Sequence, residues 1–428
     1  MRDATLATRP KTADVAGLSG SPERVLSPVL MVVVQMPLYR DASGSLFAEQ
    51  LWGKDLLRHL DYLDALTIAC PCLRQDPPRN AICLDSAEGR LELLELPMQS
   101  SLFETLRLSP ALIRTLWRAT GRAEIVHTCI AGWPIPMGWI AGPIALWRRK
   151  KLLIIVESAP WRIQAGSAAS WRALLRSRIQ ERIGCFLLSR SDLPIFTQDG
   201  YRQSMLGADA GRGFVIPASW IDEVDVLSID DAKSVWQSKL QPSSPRLRIL
   251  FAGRLTGEKG LLVLLQAIRS LAEEDLDIQL DILGEGTLEP ECSRLSLDLK
   301  GPTRLRVLGT VSYGAPLFQR IREYHAVVVP SISDEQPRIV FDAYSQAVPV
   351  IASDTTGLRS CVSDGLTGML FPLGDSVALA RLLREAARHP EALQSLGLNA
   401  IAIAGEMTHQ HMHRERAALI GNLLQTRR

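Results

Sequence analysis

Two cations five residues apart, Arg254 and Lys259, stand in the run Arg248-Ile-Leu-Phe-Ala-Gly-Arg254-Leu-Thr-Gly-Glu-Lys259-Gly260. An apolar strand over 249–252 should stop at Gly253, and Gly257 and Gly260 let the following loop turn tightly. A helix is predicted to begin near Lys259. Its first amides lack intrahelical partners and its dipole end is positive, so helix start, loop and both cations together suit a doubly charged anion such as a diphosphate. The competing reading is a pair of ordinary surface charges beside a βα turn.

A second constellation is acidic: Pro330-Ser-Ile-Ser-Asp334-Glu335-Gln336-Pro337-Arg-Ile-Val-Phe-Asp342. Pro337 suits a first helical position, which puts Asp334 in the loop before the helix and Asp342 about one and a half turns inside it. At about 1.5 Å per residue the two carboxylates stand at most roughly 12 Å apart, a separation that grips two ends of one extended ligand. Read without function, Asp334 caps a helix and Asp342 is a solvated charge.

The elements that must position these groups alternate. At 428 residues the chain is long enough for two domains, and 46% apolar with 22% charged residues is a globular composition. Its net charge of +2 makes no case for nucleic acid. Seven cysteines, odd in number and scattered, read as reduced, buried thiols of a cytosolic protein. Strand-like runs at 29–34, 66–69, 91–96, 125–128, 152–156, 193–197 and 213–216 are mostly separated by helical patterns, including one at 46–60. After a Ser/Pro-rich piece at 241–245 the alternation restarts with strands at 249–252, 278–283, 305–308, 326–329 and 348–352. Parallel strands need crossover helices, so each half should be a doubly wound sheet covered on both faces, with ligands at the carboxyl ends of its strands. We expect a disordered tail over 1–25, an amino-terminal domain over 26–216, a linker over 217–245, a second domain over 246–408, and a closing helix over 409–428 that packs back on the first domain.

The residues Gly253-Arg254-Leu255 with Lys259-Gly260, Gly284-Glu285-Gly286, Leu308-Gly309, Val329-Pro330-Ser331, Pro349-Val-Ile-Ala-Ser353 and Asp364-Gly365 with Gly368 resemble the retaining, nucleotide-sugar-dependent glycosyltransferases of the family-4-like group (glycosyl transferases group 1). The resemblance is strong over 248–372 and rests on the order of elements over 28–216. It implies the GT-B architecture, two Rossmann-like domains facing across a cleft, with the donor in the carboxyl domain and the acceptor in the amino domain. It implies transfer of a sugar from a nucleotide diphosphate to an acceptor hydroxyl with retention, in polysaccharide or glycolipid biosynthesis, with no metal or other cofactor. By position, Arg254 and Lys259 would hold the diphosphate, Gly284 and Glu285 would border the nucleotide, Asp342 would contact the ribose, and Asp334 the transferred sugar. The family's pair is usually Glu, seven residues, Glu, so Glu335, one place off, is an alternative to Asp334. Where the family often has paired glycines, this chain has Thr356-Gly357, and Gly357 is assigned to the donor.

In the amino-terminal half, Glu157 stands where many members carry a His facing the reacting sugar. There it would stabilise charge at the anomeric carbon or orient the acceptor; capping of a loop or helix is the rival. Gly44 and Ser45 match the family's glycine-bearing first loop, and His127, ending a strand, is a further acceptor-side candidate. Asp275-Leu-Asp277 spells an Asp-X-Asp pair but falls at a helix-to-strand turn, where it reads as solvated charge. An inactive nucleotide-sugar-binding protein, an epimerase or a phosphorylase on the same architecture are the alternative functions.

Thr128 to Trp147 carries no charge, yet Pro134, Pro136 and Pro143 argue for a buried crossover helix over a membrane span. Residues 171–183 form a basic amphipathic helix opening on Trp171, and Arg114, Arg118 and Arg122 add to its charge. We therefore expect a cytoplasmic protein, peripheral on the inner leaflet, with three partners: a nucleotide sugar, a carbohydrate or lipid-linked acceptor, and an anionic membrane surface.

Overall fold

The computed structural model describes residues 30–163, 170–241 and 247–425, so the expected tail and nearly all of the Ser/Pro piece lie outside it. The chain forms two compact units, Met1–Pro217 with Met412–Arg428, and Ala218–His411.

In the first unit the strands are β1 (Leu30–Val33), β2 (Leu38–Arg40), β3 (Leu46–Ala48), β4 (Leu66–Arg74), β5 (Ile82–Cys83), β6 (Leu91–Leu96), β7 (Ile125–Thr128), β8 (Lys151–Val156), β9 (Leu193–Phe196) and β10 (Phe214–Val215). They join in the order β10-β9-β8-β7-β1-β4-β2-β3-β5, with β6 on β4. The run from β10 to β4, with β6, is parallel, and its central strands are apolar without alternation because both faces are covered. Covering them are α1 (Gln50–His59), α2 (Leu102–Arg122), α3 (Gly138–Trp147), α4 (Trp171–Arg190) and α5 (Asp199–Leu206).

The expected helix over 46–60 begins later. Residues 46–48 pair as β3 with β2 and β5, and Glu49 caps α1 by accepting from the amides of Leu51 and Trp52. The strand forms because Asp41 Oδ1 accepts from the amides of Ser43 and Ser45 at 2.9 Å each and closes the β2–β3 turn.

The second unit opens with α6 (Ile229–Lys239), inside the stretch expected as a linker. That expectation is corrected: Trp236 is fully buried, its Nε1 donates to the Ala347 carbonyl at 2.8 Å, and the helix is part of the core. The strands β11 (Leu247–Ala252), β12 (Ile278–Leu283), β13 (Arg304–Gly309), β14 (Ala326–Val329), β15 (Val350–Ser353) and β16 (Gly368–Phe371) form a sheet in the order β13-β12-β11-β14-β15-β16, parallel throughout. Its order reverses between β12 and β14 on either side of β11, the switch point where open α/β sheets leave a crevice. The crossovers and closing helices are α7 (Leu261–Leu271), α8 (Glu289–Asp298), α9 (Ala315–Arg322), α10 (Ile339–Ser345), α11 (Thr356–Arg359), α12 (Ser376–Arg388) and α13 (Glu391–Glu406). The sequence reading missed α13, whose apolar residues and two glycines blur its period. Gly397 is needed there, since a Cβ would stand 2.1 Å from the Ala347 carbonyl oxygen.

The last helix, α14 (His409–Gln425), joins the first unit from Met412 onward. Asp55 of α1 anchors it: His413 Nε2 and Arg416 Nη1 each lie 3.0 Å from Asp55 Oδ1, and Lys151 Nζ donates to the Leu423 carbonyl. Burial, with the neighbouring His59 and Arg416, outweighs Asp55 and holds both His127 and His413 down at about 3. Folded, these histidines stay neutral, whereas in the unfolded chain they protonate below the ordinary 6.5, so stability is lost as pH falls from that value toward about 3. Calorimetry of the full chain at pH 7 and pH 5 is expected to show a loss of about 1.4 kcal/mol per histidine per pH unit within that window. His127→Asn with His413→Asn should flatten the dependence.

Candidate active site

Four loops at the carboxyl ends of β11, β12, β14 and β15 are joined by main-chain and side-chain bonds. After β11 the Leu255 amide donates to the Glu285 carbonyl at 2.9 Å, and the Leu288 amide donates back to Leu255 at 2.9 Å. After β14 the Ile332 amide donates to the Glu258 carbonyl at 3.0 Å. After β15 the Gly357 amide donates to Asp334 Oδ1 at 2.7 Å.

Glycines make this closeness possible. Gly260 has φ +69°, and a Cβ on it would sit 1.7 Å from the Pro330 carbonyl oxygen. Gly284 has φ +139°, with Gly253 O only 1.9 Å from where its Cβ would be. The loops therefore pack backbone on backbone at the switch point.

The predicted helix near Lys259 resolves into one 3-10 turn, Gly257–Lys259, followed by α7 from Leu261. The left-handed Gly260 separates them, since that conformation cannot continue a helix. Both cations meet carboxylates. Arg254 Nη2 lies 2.7 Å from Glu258 Oε1, with the arginine side chain 67% exposed, while Lys259 Nζ lies 3.0 Å from Glu335 Oε2 and is 19% exposed. The first pair is a flexible, solvated ion pair; the second is sheltered and joins two loops.

The acidic segment differs from its expected form. The helix α10 begins at Ile339, two residues after Pro337, and Asp342 falls in its first turn. Asp342 is 4% exposed, and its Oδ1 accepts from the Tyr313 hydroxyl at 2.9 Å. This carboxylate is buried and holds the loop that carries Tyr313 after β13. Burial first, and then the Asp342 charge, raise the Tyr313 hydroxyl pKa, so it stays a donor.

Among the sequence-expected residues, then, Arg254, Lys259, Gly284, Glu285, Asp334, Glu335 and Gly357 are brought into one bonded set at the strand ends. Glu258 and Tyr313 were missed. Arg254 and Glu258 are four residues apart, a spacing that signals a charge pair only where the chain coils, and here it does so for one turn. Nothing in the local sequence marks Tyr313 as the partner of Asp342.

In the first unit, Glu157 is exposed just beyond β8, and its carbonyl accepts from Thr197 Oγ1 at 3.1 Å. Burial, and next the Glu157 charge, push the Cys129 thiol up to about 11. His127, in β7, feels the charges of His59, Arg416 and Asp55 near the anchor of α14. Gly44, with φ +93°, and Ser45 form the β2–β3 turn, where Arg40 Nη1 donates to the Gly44 carbonyl at 2.7 Å. Asp55, His59 and His413 bring three potential metal ligands within 4.8 Å of one another. Arg416 already shares the Asp55 oxygen with His413, so that carboxylate has a cation of the protein's own.

Two Rossmann-like parallel-sheet units with these strand-end loops define the GT-B fold. Residues 246–389 match the family described as Glycosyl transferases group 1, which takes in all four loops. Over 180 residues the chain is 32% identical to the phosphatidyl-myo-inositol mannosyltransferase of Mycobacterium leprae (strain TN), covering 41% of this chain and 47% of that protein. Over 180 residues it is 28% identical to the D-inositol 3-phosphate glycosyltransferase of Streptomyces avermitilis, covering 39% and 38%. The matches thus span less than half the length of these relatives. Among solved structures, Anabaena HepE in complex with UDP aligns over 92% of this chain and 100% of that one, with a TM-score of 0.65 at 16% identity, a likeness of fold.

Gly260→Ala is expected to cost more than about 2 kcal/mol, because the new methyl must displace the Pro330 carbonyl while holding a left-handed backbone. Thermal melts of the variant against wild type read this directly.

Proposed function

We propose that the protein is a glycosyltransferase that moves a sugar from a nucleotide diphosphate to an acceptor hydroxyl. One observation carries the reading: the family match falls on the unit whose strand-end loops gather Arg254, Lys259, Asp334 and Glu335 at the switch point. A diphosphate arriving there brings two negative charges to Lys259 and Arg254. It takes over the lysine now paired with Glu335 and frees that carboxylate to face the transferred sugar. Each charge-assisted bond to phosphate contributes about 1.5 to 3 kcal/mol, and more as water is excluded. Asp334, through the Gly357 amide, positions the loop after β15 against the same ligand.

In this reading transfer proceeds with retention and without a metal, with the two cations offsetting charge on the departing diphosphate. Glu157, of the first unit, meets the acceptor side, as do Gly44 and Ser45 in their turn. The acceptor is an inositol-containing or related lipid-linked alcohol, a class supported by the names of the mannosyltransferase and inositol phosphate glycosyltransferase relatives. A lipid-linked acceptor of that class requires work at a membrane surface, and a cytoplasmic chain peripheral on the inner leaflet meets that requirement.

The test is calorimetric titration with uridine and guanosine diphosphates and their sugars, alongside a transfer assay on inositol lipids. Lys259→Ala is expected to weaken diphosphate binding by roughly tenfold or more, and Arg254→Ala with it by roughly a hundredfold. If the double variant binds every nucleotide as wild type does, the reading is wrong. Glu335→Gln should leave binding within a few-fold and lower transfer. An equal loss of binding and transfer would assign Glu335 to the loop's structure instead.

A further inference from the structure

The helix α2 carries three stripes. Thr105, Leu112, Leu116 and Thr120 are buried against the sheet. Phe103, Leu106, Pro110, Ile113 and Trp117, spaced three and four apart, lie in the open, with Phe103 77% and Leu106 67% exposed. Arg107, Arg114, Arg118 and Arg122 form the third. At about 100° per residue the stripes stand roughly a third of a turn apart. A helix already packed on its core by one face has no folding reason to show a second apolar face to water. The helix has one acid, Glu104, whose carboxylate accepts from the Ser100 amide at 2.8 Å and feels the Arg107 charge, so its four arginines outnumber its acids four to one.

Its neighbours continue the pattern. Trp147, ending α3, is 80% exposed, and the next residue, Arg148, lies over the Trp117 ring of α2 at 4.8 Å. Along α4, Trp171, Leu175, Ile179 and Phe186 are exposed, and Arg176 lies 4.2 Å over Trp133 in the loop before α3. The acid of α4, Glu181, turns inward to Arg162 and Trp161. Between residues 98 and 190 the chain has 14 Lys and Arg against 4 Asp and Glu, so this surface is strongly cationic although the whole protein is near neutral.

We infer that the joint face of α2, the end of α3 and α4 seats on an anionic lipid bilayer, with the Phe103-Leu106-Ile113-Trp117 stripe in the acyl boundary and the arginines on lipid phosphates. The sequence alone pointed to α4; the structure makes α2 the inserting element. Charge selects the occupant. A second copy of the chain would set cationic face against cationic face, and a nucleic acid has no use for the aliphatic stripe, whereas an anionic leaflet offers hydrocarbon and phosphate together. Aromatic rings with arginines stacked on them suit that boundary, being apolar in body and polar at the rim. A cavity of about 230 Å³ beside the basic stripe, lined by Thr67, Glu92, Thr115, Arg118 and Arg122, likewise has more cations than anions.

The inference rests on the glycosyltransferase reading for its purpose. Vesicle binding and nucleotide binding are measured apart, so either can fail alone. In co-sedimentation the full chain should be retained by phosphatidylcholine vesicles containing phosphatidylglycerol, at least about tenfold better than by phosphatidylcholine alone, and high salt should weaken retention. Phe103→Glu with Leu106→Glu, both on the outer face, should lower retention about tenfold or more, with melting temperature and nucleotide binding unchanged. Arg114→Gln with Arg118→Gln should lower it similarly and flatten the salt dependence. The inference is overturned if wild type stays in the supernatant with anionic vesicles at low salt, or if neither pair of substitutions changes retention. Self-association or nucleic-acid binding that the Glu variants abolish, without vesicle binding, would overturn it equally.

Discussion

The second unit depends on two places where main chain touches main chain with no side chain between: Gly260 beneath the Pro330 carbonyl and Gly284 beneath that of Gly253. Each lets loops from different strands share hydrogen bonds. The bonds from Leu255 to Glu285 and from Ile332 to Glu258 then hold the loops after β11, β12 and β14 as one surface. Any Cβ at these points would separate the loops and carry Lys259 away from Glu335 opposite. Position, more than the charges themselves, is what these contacts supply, and preorganised charge is worth more than charge gathered at the moment of reaction.

Electrostatically, that surface is already balanced. Lys259 leans on Glu335, Arg254 on Glu258, and Asp334 on an amide, so both cations are already paired. In the proposed reading, binding a diphosphate there is an exchange of partners, in which two phosphate charges offset the cost of breaking a half-sheltered ion pair. Asp342 stands apart from these pairs, its Oδ1 accepting from the Tyr313 hydroxyl of the loop after β13.

The first unit uses the same kind of sheet differently. On one face, α1 and α14 meet over a polar cluster in which Asp55 serves both His413 and Arg416. The other face carries α2, α3 and α4, whose inward sides fill the core and whose outward sides stay apolar and cationic. One sheet thereby secures α14 on one side and presents an apolar, cationic surface on the other.

Much of this was legible in order of residues. The doubly wound halves follow from uninterrupted apolar strands alternating with helical periods, because backbone hydrogen bonding and burial leave few other arrangements. The family resemblance likewise picked out the crevice, since glycines and charges at strand ends are local features. Among the things not legible were the strand at 46–48, the helix α6 in an expected linker, and the burial of Asp342. Each depends on a partner far away in the chain: Cys83 for Phe47, Ala347 for Trp236, and Tyr313 for Asp342. Local propensity and period thus determined which residues form strands, helices and turns. Only tertiary packing decided which charges face solvent, which face each other, and which apolar stripe of α2 is left uncovered, because burial is a property of neighbours that the residue itself does not carry.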